Sequence, residues 1–203
     1  MRILGLTGDI ACGKSSVAQI LHEKGVTALD SDQLVRELYA DVAFAARVQA
    51  LFEGEIRDSK RAIDRAKLGA LVFGDAVKLR ELERLVHPAV AKLRAQKLGA
   101  LDAAGQKVVS VEAVKLLESG QGTICDEIWC VVCSPDVQLR RLMKNRGLSE
   151  DAARSRLQNQ PSREAKQVLA RDVPLIWLEN NGSLGELRAF VAREWTRFLD
   201  DAA

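Results

Sequence analysis

The stretch from Leu4 to Ser16, Leu-Gly-Leu-Thr-Gly-Asp-Ile-Ala-Cys-Gly-Lys-Ser-Ser, constrains this chain more than any other. It contains Gly8-x-x-x-x-Gly13-Lys14-Ser15, the pattern of a phosphate-binding loop. The apolar run Ile3 to Leu6 reads as a buried strand, and Ser15 to His22 as a helix with Val17, Ile20 and Leu21 on one face. A loop between a strand and a helix is the context that gives the pattern meaning. Gly8 and Gly13 allow backbone angles and close approaches that a Cβ would block. The loop amides and the helix N-terminus then face phosphate oxygens. Lys14 can reach the terminal phosphates, and the Ser15 hydroxyl can ligate Mg²⁺. The motif therefore points to a nucleoside triphosphate, with ATP and Mg²⁺ the expected pair.

The rest of the chain alternates short apolar strands with amphipathic helices. Val26–Leu29, Lys107–Val111, Glu127–Cys133 and Leu175–Leu178 read as further strands. Helices are expected after Asp30-Ser31-Asp32, over 44–52, 63–73 and 77–86, from Pro135 to Asn145, and over 184–199. Leu79, Leu82, Leu85 and Val86 form an apolar stripe, and Pro88 should kink or restart its helix, which continues to about Leu101. Such alternation implies an α/β fold, a P-loop NTPase-type parallel sheet flanked by helices. Ligands of these sheets sit at the carboxyl ends of the strands. Thr7-Gly8, Asp30–Asp32 and Glu112 all follow strands and are expected to converge there.

Three features narrow the chemistry. Asp32 can orient or deprotonate an acceptor hydroxyl, whereas either it or Asp30 can equally cap the next helix. Glu112 suits Mg²⁺, or else a surface salt bridge. Between Gln138 and Arg171 lie nine basic residues and only three acids, so a basic flap is expected to close on a triphosphate. The formal net charge of +2 over 203 residues argues against a dedicated nucleic-acid binder. No apolar run is long enough for a membrane span and the N-terminus reads as a core strand, so a cytoplasmic protein with reduced cysteines is expected. Cys130 and Cys133 read as two core cysteines on opposite faces of a strand. Cys12, at a helix N-terminus, reads as a thiol of lowered pKa.

Several of these stretches together resemble the dephospho-CoA kinase family. They are Gly8–Ser16, Leu29-Asp30-Ser31-Asp32 with Arg36, Leu85-Val86-His87-Pro88, Cys125–Ile128, Gln138–Leu142, Gly147–Ser149, Arg156-Leu157-Gln158-Asn159-Gln160 and Asn180–Ser183. Order and spacing match from Met1 to about Trp195. The resemblance implies ATP-dependent phosphorylation of the ribose 3′-hydroxyl of dephospho-CoA. It also implies a core (about 1–33, 99–146 and 168–203), a helical CoA-binding insertion (about 34–98) and a lid (about 147–167). Asp32 aligns with the family's proposed base, Ala11, Cys12, Gly13, Lys14, Ser15 and Ser16 with its ATP-contacting loop, and Arg36 and His87 with substrate-side motifs. Arg141, three residues after Gln138, aligns with a lid-side arginine.

The chain also departs from the family pattern. Asp9, Ala11 and Cys12 replace residues of a loop that usually reads Gly-Gly-Ile-Gly-Ser-Gly-Lys, and Asp9 must point away from phosphate or into a cation. Asn145 stands where a lid arginine is usual, and Arg146 is expected to take that role. Another P-loop kinase acting on nucleosides or nucleoside monophosphates, or a non-catalytic nucleotide-binding regulator, is the alternative. An intact Lys14, Ser15 and Asp32 argue against the regulator.

Overall fold

A computed structural model describes residues 1–201. Its chain order is β1 (Arg2–Gly8), α1 (Lys14–Glu23), β2 (Thr27–Asp30), α2 (Ser31–Ala40), α3 (Val42–Gln49), α4 (Arg65–Val72) and α5 (Ala76–Ala103). There follow β3 (Val108–Glu112), β4 (Glu127–Val132), α6 (Pro135–Arg146), α7 (Glu150–Gln158), α8 (Arg163–Ala170), β5 (Leu175–Glu179) and α9 (Leu184–Asp200). The five strands form one sheet in the order β2-β3-β1-β4-β5. β1 pairs in parallel with β3 and with β4, and β4 with β5. β3 and β4 are buried along their whole length, as parallel strands covered on both faces must be.

Two compact units are apparent: Leu29–Gln106, and Met1–Ala28 with the chain from Lys107 onward. The sheet unit is built on Leu4, Leu6, Val17, Leu21, Trp129, Val131, Leu178 and Phe198. The chain leaves the central strand β1 toward β2 on one side of the sheet and leaves the neighbouring β3 toward β4 on the other, so the direction of the connections reverses between β1 and β3. The segment after β1 therefore lies where α/β sheets open a crevice for ligand. The second unit is helical and packs Leu34, Tyr39, Phe44, Val48, Ile56, Leu82 and Val86 into a core of its own.

Three local expectations are corrected. α5 does not restart at Pro88 but runs unbroken for 28 residues. Pro88 removes one amide, yet Arg84, whose carbonyl loses that partner, is exposed and open to water. Leu79 is exposed, in the first turn of α5, while Leu82 and Val86 carry the buried stripe. β4 ends at Val132, so Cys133 has left the strand and, half-buried, packs against the core rather than within it. Among the described residues, no helix is long and apolar enough to cross a membrane.

Candidate active site

The loop after β1 is locked by its two glycines. A Cβ on Gly8 would lie 2.7 Å from the Val131 carbonyl oxygen across the β1–β4 pair. Gly13 adopts φ 98°, and a Cβ there would meet Asn180 Nδ2 at 2.5 Å. Gly13 is the N-cap of α1, so no side chain caps this helix. The Ser16 amide already donates to the Gly13 carbonyl at 3.0 Å, which leaves the Lys14 and Ser15 amides to a ligand, the arrangement that anions favour.

Side chains from distant elements brace the loop. Ile10 is held on both sides: its N–H donates to Gln160 Oε1 at 2.7 Å, and its carbonyl accepts from Gln138 Nε2 at 2.9 Å. The Cys12 carbonyl accepts from Asn180 Nδ2 at 2.8 Å and from Arg141 Nη1 at 3.4 Å. Asp9 is paired with Lys166 of α8, which is buried, so the carboxylate brought in by this loop is neutralised within the protein.

Lys14 Nζ lies 3.3 Å from Glu112 Oε2, with Ser110 Oγ 3.5 Å from Glu112 Oε1. Lys14 is therefore partly buried and paired, and Glu112 is a buried carboxylate at the end of β3 rather than a surface partner. Ser15 is exposed in the first turn of α1.

Two cavities flank the loop, of about 350 and 510 Å³. The smaller is lined by Ser16, Arg141 and Asn180 among others, and the larger by Gly8, Lys14 and Lys166. Ala11, Gly13, Ser15 and Arg146 line both. Arg146 ends α6, where Gly147 at φ 63° turns the chain, and it is exposed.

Cys12 differs from its expectation. Its hydrogen bond with Cys133 and its full burial push its thiol well above the ordinary range. The lowered thiol is instead Cys133, held down by the Cys12 hydrogen bond and by the nearby Arg141 against the opposing effect of burial.

The remaining residues singled out belong to the helical unit. Asp30 is the N-cap of α2, its Oδ1 accepting from the amides of Asp32 at 2.7 Å and Gln33 at 3.3 Å. Asp32 is thereby left with an exposed side chain at the first turn. Arg36 Nε donates to the Asp32 carbonyl at 3.3 Å, and His87 is exposed on α5.

Known proteins agree with this architecture. The sequence model of the family described as dephospho-CoA kinase matches residues 2–186. The chain belongs to the dephospho-CoA kinase family. A relative named dephospho-CoA kinase from Geobacter sulfurreducens is 36% identical over 97% of this chain and 98% of its own. One of the same name from Geobacillus kaustophilus is 37% identical over 91% and 90%. Among solved structures, TT1252 from Thermus thermophilus superposes with a TM-score of 0.77 at 29% identity, over 100% of this chain and 98% of its own. The dephospho-CoA kinase from Campylobacter jejuni shares the fold with a TM-score of 0.65 at 22% identity, over 97% and 96%.

Within this family member, the sequence alone assigns no bracing role to four residues: Gln138, Gln160, Asn180 and Lys166. Their signal was available for three of them. Gln138, Gln160 and Asn180 each stand in one of the stretches that resemble the family. Lys166 is one of the nine basic residues of the flap and Asp9 is expected to need a cation, but the 157 positions between them hide the pairing.

Proposed function

We propose that the phosphate loop, Lys14, Arg141, Arg146 and Asp32 carry out the ATP-dependent phosphorylation of dephospho-CoA that family membership gives this chain. The observation that supports this reading is an intact loop with an uncapped α1 terminus, ringed by Lys14, Arg141 and Arg146. Gly8 and the run Ala11 to Ser16 hold the triphosphate by backbone amides and the helix end. Lys14 leaves Glu112 for the β- and γ-phosphates, where its charge matches what develops in the transition state. Arg141 and Arg146 approach the same phosphates from α6. Asp32 accepts the proton of the ribose 3′-hydroxyl, while Arg36 and His87 bind the acceptor. The helical unit takes the CoA moiety, and the segment 147–167, with α7 and the start of α8, is the lid.

The Ser15 hydroxyl and the Glu112 carboxylate are oxygen donors of the kind that suits Mg²⁺. No group of three or more His, Cys, Asp or Glu that could hold a metal occurs among the described residues. Phosphate oxygens and water would then complete the shell. When bound, Mg²⁺ would neutralise charge on the β- and γ-phosphates. The protein works on small molecules in the cytoplasm, without nucleic acid.

Purified protein incubated with Mg·ATP and, separately, dephospho-CoA, adenosine or CMP tests this reading. Phosphorylation confined to dephospho-CoA supports it. Phosphorylation of adenosine or CMP alone would assign the chain to another P-loop kinase activity.

A further inference from the structure

Two sulfurs meet beneath the phosphate loop. Cys12 is wholly buried in the loop, and Cys133, half-buried just past β4, brings its Sγ to 2.7 Å from Cys12 Sγ. The residues are 121 positions apart and both belong to the sheet unit. Disulfide sulfurs sit at about 2.05 Å, so roughly 0.7 Å of approach is needed to bond them. The other two cysteines, Cys125 and Cys130, are buried.

We infer that Cys12 and Cys133 form a reversible thiol–disulfide site that arrests the kinase when oxidised by a hydroperoxide. The order of events follows from access and acidity. Cys133 is the sulfur that solvent can reach, and its thiolate is favoured by Cys12 and Arg141. The Cys133 thiolate attacks a peroxide oxygen and the O–O bond breaks. Cys133 becomes a sulfenic acid, and the leaving oxygen departs as alcohol or water with the thiol's proton. Cys12 sulfur then attacks the sulfenic sulfur. The S–S bond forms, the S–O bond breaks, and hydroxide leaves with the Cys12 proton as water. Two thiols lose two electrons in all, and one hydroperoxide gains them. A thiol reductant reverses the bond by exchange.

Arrest follows from where Cys12 sits. Its neighbours Ala11 and Gly13 have φ 60° and 98°, and its carbonyl carries the bonds from Asn180 and Arg141. A covalent bond from Cys12 to the end of β4 pins the middle of the loop. The loop then no longer adjusts to a triphosphate.

Reduced protein is treated with hydrogen peroxide, then analysed by intact mass, by non-reducing peptide mapping and by turnover. The expected result is a loss of about 2 Da. A Cys12–Cys133 linked peptide pair should appear, with at least a fivefold loss of turnover that dithiothreitol restores. Cys133→Ser should keep basal turnover, form no link and resist peroxide. The mass and peptide readouts do not depend on the substrate, so they stand apart from the functional assignment. Four free thiols after oxidation, a link between other cysteines, a linked protein of unchanged turnover, or Cys133→Ser losing activity as fast as the parent would each overturn the inference.

Discussion

At the scale of single residues, geometry sets Asp30 and Asp32 apart. Asp30 Oδ1 is committed to two amides of α2, which leaves Asp32 exposed and free of the cap. Asparagine caps about as well as aspartate, so Asp30→Asn should leave both stability and rate almost unchanged. Asp30→Ala should cost about 1 kcal/mol of stability, read by urea unfolding. Asp32→Asn keeps size but cannot accept a proton, and kcat should fall about 10²–10⁴-fold with little change in ATP affinity. A large kcat loss at Asp30 with Asp32→Asn near normal would reverse the roles. Lys14 carries a second residue-scale prediction. Lys14→Ala should lower kcat on the order of 10²–10³-fold. It should also lower the melting temperature by a few degrees, because Glu112 is left buried without its partner. A variant with near-normal rate would contradict the role of Lys14.

At the scale of elements, the phosphate loop depends on helices that follow it by more than 100 residues. Gln138 of α6 and Lys166 of α8 each fix one loop residue, and Asn180 after β5 fixes another. The Asp9–Lys166 pair is nearly dry, with side-chain exposures of 19% and 7%. Removing one partner of such a pair strands a charge, so Lys166→Met should destabilise by about 3 kcal/mol and weaken ATP binding. The double variant Asp9→Asn/Lys166→Met should recover most of that stability in a thermal-unfolding cycle. A double variant no better than Lys166→Met would show that Lys166 acts through something other than Asp9. Much of this level was legible in the sequence. Gly8, Gly13 and the apolar runs around them dictate strand, loop and helix by local sterics and periodicity. What escaped was long-range. Nothing near Asp9 names Lys166, and nothing near Cys12 names Cys133. A hydrophobic stripe also does not say that Leu79 lies in the exposed first turn of α5, nor that Pro88 is tolerated where the freed carbonyl meets water.

At the scale of the whole molecule, the phosphate loop, Lys14, Arg141 and Arg146 lie in the sheet unit, and Asp32, Arg36 and His87 lie in the helical unit. The sheet unit's chemistry is common to nucleotide-binding proteins. Specificity for dephospho-CoA rests on the whole chain belonging to one family, since residues 2–186 match it. The most direct test measures product formation. Purified protein with Mg·ATP and equimolar dephospho-CoA, adenosine and CMP is followed by mass spectrometry. The account predicts coenzyme A as the one phosphorylated acceptor, its new phosphate on the ribose 3′-oxygen. Phosphorylated adenosine or CMP, with dephospho-CoA untouched, would contradict it.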